Sequence, residues 1–132
     1  MAIINNHQPV TSDVFIHRDY QPVNALWRQT DLVGIVDWVN ACRGCASIDV
    51  AHCRLNLALM YGLQAADGFL DAYTAEVGHF DHHPYWDVDA ALSWLPDLSY
   101  YEPWQEFGLG DETPGLLQHR MEAFLQSAAN CI

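Results

Sequence analysis

Lysine is missing altogether: all five basic residues in the 132 are arginine, against 17 acidic ones, for a formal net charge of −12. A surface of that sign repels nucleic-acid phosphates and anionic lipid, so neither nucleic acid nor membrane is expected as a partner, and cationic ligands are favoured. No apolar run approaches the roughly 20 residues of a membrane span. Residues 1–13, MAIINNHQPVTSD, hold no Lys, no Arg and no apolar segment, so a secretory signal is not expected and a cytoplasmic location follows. Four cysteines, Cys42, Cys45, Cys53 and Cys131, are too few and too unevenly placed for a disulfide framework. Internal repeats and low-complexity segments are absent too.

What is present is enough apolar material for one domain with a real core, 51% of the residues. Residues 1–13 read as a lead-in and 14–132 as the domain. The polar chemistry is concentrated between Val14 and Trp38, in VFIHRDYQPVNALWRQTDLVGIVDW. His17, Asp19 and Asn24 form H-x-D-x4-N there, and Asp37 follows in a D-W pair. Val14, Phe15 and Ile16 are β-prone and deliver His17 and Asp19 into a turn, with Pro22 fixing the chain before Asn24. Two further strands, Ala25 to Trp27 and Leu32 to Val36, flank a polar turn from Arg28 to Asp31. Pairing them brings Asn24 and Asp37 together at the open end of a hairpin. An amide oxygen and a carboxylate so placed suit magnesium, a hard ion that takes one or two protein oxygens and leaves the rest to water and phosphates. Asp19, on the same loop, is placed to accept a hydrogen bond from a hydroxyl and orient it for attack on a phosphoryl group.

Beyond this stretch the chain reads as helices. Ala41 to Ser47 is an irregular connection with Ser47 as N-cap. Ile48 to Tyr61 has apolar residues at helical spacing and is stopped by Gly62. Gln64 to Val77 is the next helix, stopped by Gly78, and the two should pack as an antiparallel pair. Tyr85 to Leu95 follows, closed by Pro96, and Thr113-Pro114 opens a last helix that runs to about Ala129. Between these lies an aromatic connection, Asp97 to Asp111, with Tyr100, Tyr101, Trp104 and Phe107; core packing is the expected use, a substrate pocket the alternative. Two clusters invite a metal: Cys42 and Cys45 with His52 and Cys53, and the loop histidines His79, His82 and His83 with Asp81. Only one C-x2-C pair is present and His52 and Cys53 diverge on a helix, so reduced thiols are expected. The loop histidines are expected to be solvated.

HRDYQPVNALW and GIVDWVNACRGCASIDVAHCRLNLALMYG together resemble the catalytic lobe of the aminoglycoside phosphotransferase family, the kinase-like group that includes choline, homoserine and macrolide kinases. The resemblance is strong from Phe15 to Gly62. H-R-D-x4-N is also the catalytic-loop pattern of protein kinases. The resemblance implies an α+β, mainly helical fold: the C-terminal, large lobe of a protein-kinase-like fold, with a short β-hairpin carrying the catalytic loop and about four helices. It implies Asp19 as the catalytic base or hydroxyl-orienting residue and Asn24 and Asp37 as metal ligands. His17 would brace the loop, and Asp49 would hydrogen-bond back to it. Mg2+ and ATP would be the cofactor and co-substrate, and a small-molecule hydroxyl, of cationic character, the acceptor. The family builds its acceptor site on the later helices, which makes Asp67, Asp71, Asp81, Asp87 and Asp89 candidates for contacting amines. Arg18 departs from the family, which usually has Gly there.

Kinase chemistry also needs a Gly-rich loop over the phosphates and a strand lysine. This sequence has neither: Gly108-Leu109-Gly110 lies late and in a loop, and lysine is absent. The expectation is therefore weak or no phosphoryl transfer by the chain alone. Either a partner chain or a second copy completes the nucleotide site, or the chain is a non-catalytic remnant or binding module that keeps the fold.

Overall fold

The computed structural model describes residues 8–110 and 113–131, so part of the lead-in, residues 1–7, lies outside the described residues. Among the described residues four α-helices carry the fold: α1 Ala46–Tyr61, α2 Leu63–Val77, α3 Pro84–Leu92 and α4 Pro114–Asn130. Two separate two-stranded antiparallel sheets accompany them, which makes the architecture α+β and mainly helical.

The expected hairpin is present as β2 Ala25–Arg28 and β3 Asp31–Ile35, joined through Gln29 and Thr30. Gln29 has φ 57, the left-handed backbone that a tight two-residue hairpin turn demands. The second sheet corrects the sequence-based expectation. β1 Asp13–Ile16 pairs with β4 Cys42–Cys45, from Asp13↔Cys45 to Ile16↔Cys42, where an irregular connection was expected. The run Cys-Arg-Gly-Cys carries no β-branched or aromatic residue, so its extended form is imposed by the partner strand rather than by its own preference. Gly44 eases that pairing, because a Cβ there would stand 2.6 Å from Ile16 Cδ1 and the end of that side chain would have to shift.

α1 begins two residues earlier than its periodicity suggested. Its N-cap is Cys45, whose sulfur accepts from the Ser47 amide at 3.4 Å, and Ser47 itself lies inside the helix. Gly62, at φ 98, ends it. Val50, Ala51, Cys53, Leu55, Ala58, Leu59 and Met60 bury nearly every face of α1, so it is the central element, with α2, α3, α4 and β1 packed around it. Leu55, Leu59, Met60, Ala91, Leu117, Met121 and Phe124 form the main core. Trp104 joins them, stacked on Trp94 at 5.8 Å, and Tyr100 packs edge-on against it and donates to the Leu109 carbonyl at 2.8 Å. Within the aromatic connection Trp104 is core, Tyr100 and Phe107 pack against it partly buried, and Tyr101 is exposed. α3 stops at Leu92, three residues short of the expected end, since Pro96 disfavours helical backbone at Leu95.

One polar cluster is buried with this core. Arg54 donates to Asp87 at 3.3 Å, to the Ala66 carbonyl at 3.1 Å and to Asp67 at 3.3 Å, while His82 Nε2 bonds Asp87 at 2.8 Å. The loop histidines are thus not simply solvated. His82 is held in the ion-pair network, and His83 caps α3 by accepting from the Tyr85 amide at 3.1 Å. Among the described residues no group of three His, Cys, Asp or Glu side chains is arranged to hold a metal ion, at the cysteines or at the histidines. Nor is any described helix long and apolar enough to cross a membrane.

Candidate active site

Pairing in the β2–β3 hairpin continues one step past the strands: the Val36 amide donates to the Asn24 carbonyl at 2.9 Å. Asp37, the next residue, is thereby set beside Asn24. Its φ of 64 turns the chain sharply at the hairpin's open end, and among the described residues its exposed carboxylate has no hydrogen-bond or ion-pair partner.

His17 ties the two halves of the site. It is buried, its Nε2 donates to the Val36 carbonyl at 2.7 Å, and its Nδ1 accepts from the Asp19 amide at 3.2 Å. One imidazole therefore joins the loop that carries Asp19 to the strand end that carries Asp37. Trp38 packs against its ring at a centroid distance of 4.5 Å. Asp49, in the first turn of α1, clamps the same loop from behind: its two carboxylate oxygens accept from the His17 amide at 2.6 Å and the Arg18 amide at 2.8 Å. Arg18 stands in left-handed backbone at φ 71, which gives a physical reason for glycine to be usual at this position in the resembling family.

The Asp19 carboxylate is surrounded by donors. Gln21 Nε2 bonds Oδ1 at 2.7 Å, His52 Nε2 bonds Oδ1 at 3.1 Å, and Asn24 Nδ2 bonds Oδ2 at 3.1 Å. Asn24 Nδ2 also donates to the Asp19 carbonyl at 2.8 Å, so the Asn24 amide group is committed through its nitrogen. Its oxygen takes no hydrogen bond among the described residues. That leaves the Asn24 amide oxygen and the Asp37 carboxylate without hydrogen-bond partners among the described residues, on two segments joined by the Val36 amide–Asn24 carbonyl bond, and both are donor types that magnesium accepts.

Two residues belong to this site that no motif marked. His52, on α1, touches the Asp19 carboxylate and lines a cavity of about 250 Å3 together with Arg18, Ile48, Trp86, Asp89, Ala90 and Ser93. Burial pushes its imidazole below the ordinary histidine range, outweighing the hydrogen bond and charge of Asp19. Tyr101 is the second. Its phenol is held above the usual range by burial and then by the Asp19 and Asp37 carboxylates, so both lie within electrostatic reach of one hydroxyl. In the sequence His52 stood out only as a candidate metal ligand beside the cysteines, and Tyr101 only within an aromatic run whose alternative use was a substrate pocket. Among the acidic candidates on the helices, Asp87 and Asp67 are spent on Arg54, whereas Asp89 faces the cavity that His52 lines.

A clamped loop, a donor-ringed aspartate and a free oxygen pair at a hairpin's end now stand together, and the comparison with protein families gives the class. The profile of the phosphotransferase enzyme family matches residues 1–92, and the chain belongs to that family. The matched region takes in both sheets, the loop and α1 to α3, ending where α3 ends. No curated protein and no solved structure matches the chain.

Proposed function

We propose that the chain is the large lobe of a kinase-like phosphotransferase, working on MgATP and a hydroxyl of a small, cationic acceptor. Asp19 receives the acceptor hydroxyl and orients its oxygen toward the phosphoryl group. Asn24, through its amide oxygen, and Asp37 hold Mg2+, which when bound neutralises phosphate charge and fixes the phosphates in place. His17 keeps Asp19 and Asp37 at a constant separation by bonding both segments, and Asp49 holds the loop backbone to α1. The observation that carries this reading is the single His17 ring bonded to both the Asp19 amide and the Val36 carbonyl.

The missing half of the chemistry is supplied from outside these residues. With no lysine among these residues, a second copy has none to offer either, so the phosphate-pairing lysine and the cover over the phosphates come from other polypeptide, a partner chain being one source. Exposed apolar side chains on the strands and the turn after Asp37, Phe15, Trp27, Leu32, Val33, Trp38 and Val39, suit such a contact. The lysine count also favours a second reading, a binding module that keeps the fold without turnover.

Transfer of a labelled γ-phosphate from MgATP to a panel of hydroxyl acceptors, polycationic aminoglycosides among them, separates the two. Slow transfer is expected from the chain alone and faster transfer with the completing partner. Asp19→Ala should reduce it by about 10²- to 10⁴-fold, the usual worth of a positioned acid–base group. Transfer that survives this substitution intact defeats the proposal, and a chain indifferent to it in every assay is the binding module.

A further inference from the structure

Asp49, His52 and Asn56 are spaced i, i+3 and i+7 along α1 and therefore share one face of it. The three have a graded reach toward the loop. Asp49 grips the backbone at the His17 and Arg18 amides. His52 grips the side chain of Asp19 at Oδ1, 3.1 Å away. Asn56, fully buried, stands behind and donates from Nδ2 to the His52 carbonyl at 3.0 Å.

The tautomer of His52 follows from its partners. An ionised carboxylate only accepts, so a bond between His52 Nε2 and Asp19 Oδ1 requires the proton on Nε2. Asn56 Nδ2 also lies 3.4 Å from that nitrogen. If the lone pair rather than the proton were on Nε2, it would face the carboxylate lone pairs at the shorter distance, so the Asn56 amide keeps its bond to the carbonyl instead. A neutral ring orients the carboxylate without cancelling its charge, as an imidazolium would. Burial, which lowers the imidazole's proton affinity against the opposing pull of Asp19 and Asp49, favours that neutral form, and the neighbouring His17 acts in the same direction.

A count of lone pairs gives the consequence. A carboxylate offers about four acceptor positions. His52 and Gln21 fill those on Oδ1, and Asn24 fills one on Oδ2. One position on Oδ2 remains for an incoming hydroxyl. We propose that His52 is a positioning residue of this site: its Nε2–H, backed by Asn56, fixes the Asp19 carboxylate so that Oδ2 alone is presented to the acceptor hydroxyl. The catalytic part of this assignment rests on the phosphotransferase reading above, but the pairing itself does not.

The test has two arms for that reason. Long-range nitrogen–proton NMR on the full chain, labelled at histidine, should show His52 neutral near pH 7 with the proton on Nε2, and this signal should move in Asp19→Asn. An Nδ1-protonated ring, or a signal unmoved by Asp19→Asn, overturns the proposal. In the phosphoryl-transfer assay, His52→Phe should lower kcat by about 10²-fold, the scale expected of a misplaced reacting group, with KM for ATP unchanged. His52→Gln, whose amide nitrogen can replace Nε2 as donor, should restore most of that loss. A His52→Phe protein as active as wild type, or a His52→Gln protein no better than a folded His52→Phe, also overturns it. If the wild type transfers no phosphoryl group either alone or with a completing partner, the functional reading fails, and the NMR arm decides the pairing by itself.

Discussion

The strand-rich part of the molecule, residues 13–45, and the helical part after it bury different mixtures of side chain: the first encloses Ile16 and Cys45 beside several polar groups, the second a large apolar core with Arg54, Asn56 and Asp87 inside it. In the first, His17, Gln21 and Asn24 are buried while Phe15 is 69% and Val39 83% exposed. In the second, Leu55, Leu59, Met60, Trp104 and Phe124 are buried. A segment that folds to hide apolar surface does not leave Phe and Val in water while enclosing an amide and an imidazole. The strand-rich part is joined to α1 by the bonds of Asp49 and His52 and by the burial of Ile16, it leaves several apolar side chains exposed, and the helical part holds the larger apolar core.

The sharpest way to break this contrast is to strike the one polar network that the helical part does bury. Arg54→Ala leaves the buried Asp87 carboxylate with His82 as its remaining partner, and losing one partner of a buried pair costs about 3–5 kcal/mol when nothing replaces it, so a loss toward the lower end is expected. Chemical denaturation should show cooperative loss of the whole fold, the strands included. Asp49→Ala should behave differently. It leaves the part-buried His17 amide and the exposed Arg18 amide without their acceptor, at about 1–3 kcal/mol, most of it from His17 because water can serve Arg18. Amide hydrogen exchange should then accelerate at His17 and Arg18 far more than in α4. Equal acceleration in both would erase the distinction between the two parts.

A pH comparison probes the seam between them. His52 has a depressed pKa in the fold, so the unfolded chain takes up its proton more readily. The stability this contributes is complete above the unfolded value of about 6.5 and is lost as pH falls through the lower folded value. Between about pH 8 and about pH 5 the urea midpoint should therefore fall less in His52→Gln than in the wild type, the other titrating groups being common to both. The smallest effect is expected at Arg18. Arg18→Gly relieves a left-handed backbone and should stabilise by about 1 kcal/mol or less, because glycine's freedom in the unfolded chain offsets part of the gain. A destabilised Arg18→Gly would show that the arginine side chain makes a contribution larger than the strain.

Thiol reactivity follows the same burial map. Burial, with Asp49 adding to it, pushes the Cys53 thiol up to about 12, whereas Cys131 is exposed. At neutral pH an alkylating agent should label Cys131 and spare Cys53 until the chain unfolds.

Much of this molecule could be read from the order of its residues, because the signals are local. The periodicity of α1, α2 and α4, the Thr113-Pro114 helix start, and the hairpin that sets Asn24 beside Asp37 each depend on neighbours within about one or two turns or a single loop. The tertiary structure alone decided the rest. β4 is a strand only because β1 lies against it, and Cys45 rather than Ser47 caps the helix because the strand runs directly into it. His52 meets Asp19 across 33 positions, and Tyr101 lies within reach of two carboxylates from a segment that otherwise reads as core. Contacts of that span arise from how whole elements pack, and no spacing along the chain encodes them.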